Sequence, residues 1–287
     1  MKNIEKKVTK LLKNKIILVT GGAGSVGSAL VERVLRYPIK QVRVIDINEH
    51  ALFQLQRNLK NPKLRILFGS VTDQDRLEIA LKNVDIVIHA AALKNIEITE
   101  FNALETIDIN VNGTVNLIKT AIKYEPMIFL NISTDKAVVS STLYGTTKEI
   151  GERLITWAGI HFQSTKFASV RFGNVIETRG NVFEIWKKEF ESDKPLSITH
   201  PEMRRYFFHI NEAVDFILKS MVGIKQGVIF VPKMKSYSVK ELADRISKRH
   251  KRIGLRPGEK MEEILMTDDE EKIAIKKDDM WIITPNY

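Results

Sequence analysis

The feature that most constrains the fold is a rhythm of short apolar runs separated by helix-like stretches over the first 175 residues. Six runs have the length and composition of buried strands, at 15–22, 41–47, 64–70, 84–92, 127–133 and 166–175. Five helix-like stretches lie between them, at 25–37, 49–60, 73–83, 103–124 and 144–158. Apolar strands that alternate with helices indicate a parallel sheet covered on both faces. The sequence therefore predicts an α/β fold with a doubly wound parallel sheet.

The first strand ends in TGGAGSVG, which places glycines at Gly21, Gly24 and Gly27. Glycines at this spacing allow a tight turn, and the helix that follows offers its free N–H groups to a pyrophosphate. Asp46 ends the next strand, 19 residues after Gly27, where a carboxylate accepts hydrogen bonds from ribose hydroxyls and repels a 2′-phosphate. Its neighbour Ile47 adds no positive charge. The pattern predicts a Rossmann-type domain that binds NAD rather than NADP.

The rhythm ends after Val175, where short strand-like pieces mix with helices and with the loop GLRPGEK at 254–260. We expect a smaller substrate-binding lobe near the carboxyl edge of the sheet, where doubly wound folds bind ligands. The expected division is a basic N-terminal helix at 1–14, an NAD-binding domain at 15–175 and a region at 176–287 that is mainly the lobe. Some segments of the last region are expected to return to the first domain.

Composition excludes several classes of protein. The 287 residues contain no cysteine, which excludes disulfides, thiolate nucleophiles and cysteine metal sites, and we expect no metal. No apolar run reaches about 18 residues, so a cytoplasmic enzyme without stable membrane insertion is expected. The net charge of +10 is spread along the chain without a nucleic-acid-binding motif, so no nucleic-acid partner is expected. The N-terminal segment has one apolar helical face, which favours a helix packed on the body over one resting on anionic lipid.

Tyr144 and Lys148 stand at positions i and i+4 of a predicted helix and would face the same ligand. A nearby ammonium stabilises a phenolate, so Lys148 is expected to lower the tyrosine pKa from its usual value of about 10. Tyr144 would then act as a general base on an alcohol while a hydride leaves the same carbon. Just upstream, Thr134, Asp135 and Lys136 follow the fifth strand, where they form either a capped turn with a solvated ion pair or part of a reaction centre.

Several segments together resemble the extended short-chain dehydrogenases/reductases. They are TGGAGSVG, HAAALK (89–94), STDKA (133–137), YGTTK (144–148), RFGNV (171–175), TRGNV (178–182) and RPGEK (256–260). Within this superfamily the chain is most similar to the UDP-N-acetylglucosamine 4,6-dehydratase branch of polysaccharide biosynthesis, the CapD-like family. The combination of STDKA and RPGEK is much more specific than the glycine turn.

The resemblance implies a reaction and a set of residues for it. Tyr144 would oxidise carbon 4 of a UDP-sugar with NAD, Lys136 would take the proton from carbon 5, and Asp135 would protonate the departing 6-hydroxyl. Hydride would then return to carbon 6, with or without inversion at carbon 5, and NAD would stay tightly bound and be recycled. The catalytic residues expected are Thr134, Asp135, Lys136, Tyr144 and Lys148. The cofactor residues expected are Gly21, Gly24, Ser25, Val26, Gly27, Asp46, Ile47, Ser70, Val71, Ala90, Ala91, Ala92, Lys94, Asn110, Tyr144 and Lys148.

The resemblance also implies a site for the UDP-sugar and an oligomer. The substrate residues expected are Lys94, Ser133, Thr134, Asn174, Arg179, Val182, Arg205, Arg256 and Glu259, in which arginines suit the diphosphate. A homo-oligomer is expected through the helices at 103–124 and 144–158.

Two other functions stay open on the sequence. A UDP-sugar 4-epimerase would use the same tyrosine and NAD but would leave Asp135 and Lys136 without an acid–base task. A non-catalytic protein that binds NAD or a nucleotide sugar would need none of Asp135, Lys136, Tyr144 and Lys148. The presence of all four favours the dehydratase.

Overall fold

The structure is a computed structural model that describes residues 2–178 and 180–284. Six parallel strands from the first part of the chain form one side of a nine-stranded sheet. They are β1 (Ile16–Thr20), β2 (Gln41–Asp46), β3 (Leu64–Phe68), β4 (Ile86–His89), β5 (Ile128–Thr134) and β6 (Lys166–Phe172). From the edge of the sheet at β3, their order is β3-β2-β1-β4-β5-β6, which confirms the predicted doubly wound α/β fold.

Helices connect these strands and cover both faces of the sheet. They are α1 (Lys2–Leu12), α2 (Ser25–Val34), α3 (Glu49–Leu59), α4 (Gln74–Leu81), α5 (Ile96–Phe101), α6 (Ala103–Ile107), α7 (Gly113–Tyr124) and α8 (Leu143–His161). The caps explain where several of them begin: Asn48, Asp73 and Thr142 each accept a hydrogen bond from a first-turn N–H of the helix that follows. Side-chain chemistry therefore fixes these helix starts locally.

The rest of the chain forms small sheets and also extends the large one. Its elements are β7 (Asn174–Val175), α9 (Val182–Glu191), β8 (Leu196–Ile198), β9 (Arg204–Phe208), α10 (Ile210–Val222), β10 (Val228–Pro232), β11 (Lys235–Ser238), α11 (Val239–Ala243), β12 (His250–Arg252), α12 (Asp268–Ile273), β13 (Ile275–Lys277) and β14 (Met280–Ile283). Strands β7, β9 and β11 form one small sheet, and β8 and β12 form another. Strand β10 joins β6 in parallel, followed by β14 and β13 in antiparallel. The large sheet therefore draws strands from both sides of residue 175.

Alternation along β1 shows how the sheet is buried on both faces. Ile17 and Val19 belong to the core formed with α2, whereas Leu18 belongs to the opposite core formed with α7. Helix α1 adds Val8 and Leu12 to the first of these cores and lies against α10, so the N-terminal helix packs on the body. Full burial of one such aliphatic side chain stabilises the fold by about 1.5–3 kcal/mol.

Two predicted elements are interrupted in the structure. The predicted helix 103–124 contains a π-helical turn at Asp108–Asn112, between α6 and α7. The predicted strand 166–175 breaks at Gly173, where a Cβ atom would come within 2.6 Å of the Tyr206 Cβ. Both interruptions lie beside the cavity described below. Within the two described ranges, no helix has the length and apolarity that crossing a membrane demands.

Candidate active site

A cavity of about 1030 Å³ runs along the carboxyl ends of the parallel strands and continues between the large sheet and segments of the chain after residue 175. From β1 the chain continues to β2 and β3 on one side of the sheet and then returns to β4 and β5 on the other side. The crevice between β1 and β4 is therefore the topological switch point, where open parallel sheets bind ligands. Most residues that the sequence assigns to cofactor or substrate line this cavity: Gly21, Gly24, Ser25, Val26, Gly27, Asp46, Ile47, Ser70, Val71, Ala90, Ala91, Ala92, Lys94, Ser133, Thr134, Lys136, Tyr144, Lys148, Asn174, Val182, Arg205, Arg256 and Glu259.

The glycine turn forms one end of the cavity. Gly21 has a φ of +64°, and a Cβ atom there would lie 2.6 Å from the Ala91 Cα, so only glycine fits without strain. Gly24 occupies the N-cap position of α2 and has no side chain to cap the first turn. The amino end of α2 is therefore open to an anion, as a pyrophosphate site requires.

Asp46 faces this turn from the end of β2. Its Oδ2 accepts a hydrogen bond from the Ala23 N–H at 3.1 Å, and its Oδ1 accepts one from the Asn48 N–H at 3.0 Å. Each carboxylate oxygen can accept further hydrogen bonds, so the side chain is held in place and can still receive hydroxyls. This geometry suits a ribose.

Asn110 does not line the cavity but supports it from the π-helical turn. Its side chain accepts a hydrogen bond from the Leu93 N–H at 2.8 Å and donates to the Leu93 O at 2.9 Å and the Thr147 Oγ1 at 3.0 Å. The amide therefore fastens the HAAALK loop to helix α8. His89, at the start of that loop, is buried between the Thr20 and Thr114 hydroxyls, and burial lowers its pKa to about 3.

The STDKA segment places an acid beside a base. Thr134 Oγ1 donates to Asp135 Oδ1 at 2.9 Å, and Lys136 Nζ lies 3.0 Å from the same oxygen. Asp135 is fully buried, and its Oδ2 has no hydrogen-bond partner among the described residues. The Ser133 hydroxyl is buried without one as well. Buried polar atoms rarely stay unpaired, so the Ser133 hydroxyl, which lines the cavity, is suited to meet a ligand. Asp135 itself does not line the cavity, although its neighbours Thr134 and Lys136 do.

The pKa of Tyr144 differs from the expectation based on Lys148. Burial raises the pKa of the phenol, the negative charge of Asp135 raises it further, and a hydrogen bond with Thr134 acts in the opposite direction. The predicted lowering of the Tyr144 pKa is therefore wrong for the protein without ligands, because burial and the Asp135 charge raise that pKa. Lys148 is itself affected: burial lowers its pKa to about 8, against the opposing charge of Glu152.

Glu152 joins Lys148 to a buried network that reaches the C-terminal region. Arg171 on β6 donates two hydrogen bonds to the Glu152 carboxylate, at 3.0 and 2.6 Å, and two to Glu270 on α12, at 2.8 and 2.9 Å. Paired bonds of this kind fix orientation as well as adding energy. The network therefore ties the helix that carries Tyr144 and Lys148 to the sheet and to α12.

The residues assigned to the nucleotide end have different roles in the structure. Asn174 donates to the Tyr206 O at 3.2 Å, and Arg205 donates to the Arg204 and Lys260 carbonyls at 2.8 and 2.9 Å. Arg205 thus holds the RPGEK segment with part of its guanidinium. Arg256 lies 3.0 Å from Glu97 across the cavity. Arg179 lies outside the described residues.

The cavity wall also contains residues that the sequence reading missed. They are Glu97, Ser141, Thr142, Asn181, Glu189, Ser197, Thr199, Lys260 and Glu263, among others. The Ser141 hydroxyl donates to the Gly258 O at 2.7 Å, which brings the 138–142 loop against RPGEK. In the sequence these residues are marked only by standing close to the recognised motifs, as Ser141 and Thr142 stand close to YGTTK. The fold brings them into the cavity by joining segments more than 100 residues apart, such as those of Ser141 and Gly258.

Nearly the whole chain is similar to proteins that are already known. The model of a family described as "Polysaccharide biosynthesis protein" matches residues 17–285. A Methanocaldococcus jannaschii protein described as an uncharacterized membrane protein is 40% identical over 97% of this chain and 88% of its own length. A Campylobacter jejuni UDP-N-acetylglucosamine 4,6-dehydratase (inverting) is 33% identical over 96% of this chain and 84% of its own. A Rickettsia felis UDP-glucose 4-epimerase is 34% identical over 93% and 81%.

Solved structures share the fold. The structure of Pen from Bacillus thuringiensis has a TM-score of 0.91 and 35% identity, covering 95% of this chain and 90% of that one. The dTDP-glucose 4,6-dehydratase DesIV from Streptomyces venezuelae, solved with NAD, has a TM-score of 0.80 at 19% identity, covering 90% of each chain. The fold is thus that of the extended short-chain dehydrogenases/reductases, and the chain belongs to the polysaccharide biosynthesis protein family, in the branch that includes the UDP-N-acetylglucosamine 4,6-dehydratases.

Proposed function

We propose that this protein is an NAD-dependent 4,6-dehydratase of UDP-N-acetylglucosamine or a related UDP-N-acetylhexosamine. The observation that carries the proposal is the Asp135–Lys136 pair, 3.0 Å apart next to the end of β5, with the second Asp135 oxygen buried and unpartnered among the described residues. Oxidation and reduction at one carbon need no such pair. Elimination of water needs both an acid and a base.

The residues of the glycine turn fit NAD. The open amino end of α2 suits the pyrophosphate, and Asp46 suits the adenosine ribose. The small side chains of Ala90, Ala91 and Ala92 leave the cavity floor open beside them. NAD, when bound, would accept a hydride from carbon 4 and return it to carbon 6. We propose that it is retained between turnovers.

Tyr144 begins the reaction by taking the proton of the 4-hydroxyl. This requires the phenolate, which burial and the Asp135 charge disfavour. A nearby ammonium such as that of Lys148 stabilises a phenolate in general. Protonation of Asp135 removes that opposing charge. The same proton therefore prepares Asp135 as the acid of the next step and makes Tyr144 a better base.

The elimination uses the pair in its uncharged form, with neutral Lys136 and protonated Asp135. This form differs from the ion pair by the shift of one proton across their 3.0 Å contact. Lys136 removes the proton from carbon 5, which the 4-ketone has made acidic, and Asp135 protonates the 6-hydroxyl so that it leaves as water. As hydride reaches carbon 6, Lys136 returns the proton to carbon 5, and the side on which it does so decides the configuration.

The Thr134 hydroxyl is placed to return a proton from Tyr144 to Asp135 at the end of each turnover. After one turnover Tyr144 holds the proton from the 4-hydroxyl, and Asp135 has lost one to the departing water. Thr134 hydrogen-bonds Tyr144 and donates to Asp135 Oδ1 at 2.9 Å, so its hydroxyl can pass the proton back. The substrate has then lost one water.

The UDP part is proposed to lie toward the lobe. Arg256 and Glu259 line that side of the cavity with Asn174 and Val182. An arginine fork suits a diphosphate, and a carboxylate can receive ribose hydroxyls. Arg256 would exchange its contact with Glu97 for the phosphate. The proposal includes Arg179 and Lys94 as further cations for this ligand.

The test is to incubate the purified protein with UDP-N-acetylglucosamine, without added cofactor, and to measure the product by mass spectrometry. We expect the loss of one water, which Asp135→Asn abolishes. If the activity depended on added NAD, this result would contradict only the proposal that the cofactor is retained between turnovers, and the dehydratase activity would still stand. An unchanged mass with conversion to UDP-N-acetylgalactosamine would make the protein a 4-epimerase, the activity named for the Rickettsia relative. Binding without any conversion would favour a non-catalytic protein.

We also propose a homo-oligomer built on the helices that surround the site. Phe101 and Leu104 are 91% and 79% exposed at the α5–α6 junction, and Trp157 and Ile160 are about half exposed on α8. Helices α5 and α6 pack against α8, so the exposed apolar side chains lie on helices that contact one another. Apolar surface of this kind typically marks an interface.

A further inference from the structure

Glu263 is a buried carboxylate in the cavity wall that the reaction outlined above does not use. It lies four residues after Glu259, is only 4% exposed, and lines the cavity. Its Oε2 is buried without a hydrogen-bond partner among the described residues. Burial of an unsatisfied carboxylate oxygen is costly, so such an atom in a cavity wall is expected to meet a donor from a ligand.

The neighbouring cation does not satisfy this oxygen. Lys260 Nζ lies 3.6 Å from Glu263 Oε2, which is an ion pair but too long for a hydrogen bond. The same ammonium donates a short bond, 2.7 Å, to the Val138 O. Lys260 therefore lowers the cost of burying the Glu263 charge but leaves the hydrogen bond of Oε2 unmade.

The contacts of Lys260 place Glu263 at the reacting end of the cavity. Val138 stands two residues after Lys136, and its carbonyl is the partner of the Lys260 ammonium. Arg205 holds the same segment through the Lys260 carbonyl at 2.9 Å. Glu263 is thus held, through Lys260, near the loop that follows Lys136, on the side of the cavity where the sugar of a UDP-sugar would react.

We propose that Glu263 binds the hexose, accepting a hydrogen bond from a ring hydroxyl or from an amide N–H on the sugar, and so helps to select the substrate. This inference rests on the proposed function, because it needs a UDP-sugar in the cavity. A hexose derivative carries several donors, whereas UDP alone has none at this end. A carboxylate that accepts one of them should strengthen binding of the sugar nucleotide without affecting binding of UDP.

The experiment compares ligand affinities in the NAD-containing protein, using Tyr144→Phe as a background that blocks turnover. Isothermal titration gives dissociation constants for UDP, UDP-glucose and UDP-N-acetylglucosamine, with and without Glu263→Gln. We expect Glu263→Gln to weaken UDP-N-acetylglucosamine binding about tenfold and to leave UDP binding unchanged, since a hydrogen bond to a charged carboxylate is stronger than one to a neutral amide. A loss shared by UDP-glucose would assign the contact to a hydroxyl, and a loss confined to UDP-N-acetylglucosamine would assign it to the amide.

Glu262→Gln is the matched control, because Glu262 is the adjacent carboxylate and is exposed. Glu262→Gln should leave the affinities for UDP, UDP-glucose and UDP-N-acetylglucosamine unchanged. Equal weakening of UDP and sugar-nucleotide binding by Glu263→Gln would show that Glu263 only supports the fold, and unchanged affinities would show that it makes no contact. A background protein that binds UDP-N-acetylglucosamine no better than UDP would also overturn the inference. Since the readout is binding, these outcomes are separate from failure of the dehydratase assay.

Discussion

At the scale of single residues, the proposed chemistry depends on the charge of one buried carboxyl group. Asp135 is fully buried, pairs with Lys136 and raises the pKa of Tyr144. The spacing of Tyr144 and Lys148 predicted two side chains at one site, and both line the cavity. The sequence could not predict that burial and Asp135 would reverse the expected pKa shift, because burial depends on strands and loops far along the chain.

Asp135→Asn should lower the pKa of Tyr144 relative to the unmodified protein. The substitution removes a negative charge that disfavours the phenolate and leaves the positive charge of Lys136 without its counterion, so both effects act in the same direction. Oxidation at carbon 4 should therefore begin at lower pH in the variant, although dehydration is lost. The measurement is the rate of NADH formation after rapid mixing with UDP-N-acetylglucosamine, recorded across pH. Asp269→Asn, an exposed substitution on α12, should leave the profile unchanged. A midpoint that stays the same or rises in Asp135→Asn would mean that Tyr144 is not the base.

At the scale of elements, the turns and interruptions beside the sheet shape the cavity. Gly21, Gly24 and Gly27 were predictable because the glycine turn is a local motif between a strand and a helix. The π-helical turn was not, because Asn110 is held there by Leu93 and Thr147, which are 17 and 37 residues away. The break at Gly173 has the same kind of origin, since the nearby Tyr206 comes from the lobe.

Gly21→Ala should greatly reduce the NAD content of the purified protein. An alanine at a φ of +64° is strained by about 1–2 kcal/mol, and its Cβ would also meet the Ala91 backbone at 2.6 Å. The turn must then move away from the position that a pyrophosphate needs. NAD is measured by its release on denaturation, and we expect at least a tenfold decrease.

Gly254→Ala separates strain from the clash. Gly254 has a φ of +84°, but an added Cβ would meet nothing within 4 Å. In the Gly254→Ala control the backbone strain should be similar to that in Gly21→Ala. The NAD content of the control should be that of the unmodified protein. Equal NAD content in both variants would contradict the assignment of the turn to the cofactor.

At the scale of the whole molecule, the site is assembled by elements from both ends of the chain. The Arg171 guanidinium joins Glu152 on α8 to Glu270 on α12, so the C-terminal region braces the helix that carries Tyr144 and Lys148. Burial alone would raise the pKa of Glu270, but the hydrogen bonds and charge of Arg171 outweigh it and keep that pKa low. The central sheet was predictable from its apolar rhythm. The return of β10, β13 and β14 was not specified, because edge strands added after a lobe leave no comparable pattern.

The proposed oligomer would cover the outer surfaces of α5, α6 and α8 with a second copy of the chain. Double substitution Phe101→Asp and Leu104→Asp should reduce the particle mass to that of one chain, because it places two charges in an apolar interface. Light scattering coupled to size-exclusion chromatography measures the mass, and the unmodified protein should be at least a dimer. Phe190→Asp is the control, since Phe190 is 55% exposed on α9, away from α5, α6 and α8, and it should leave the mass unchanged. Because α8 carries Tyr144 and Lys148, the residues proposed for oxidation at carbon 4, the monomeric variant should also dehydrate UDP-N-acetylglucosamine more slowly. A single-chain mass for the unmodified protein would refute the oligomer and leave those side chains as solvent-exposed apolar surface.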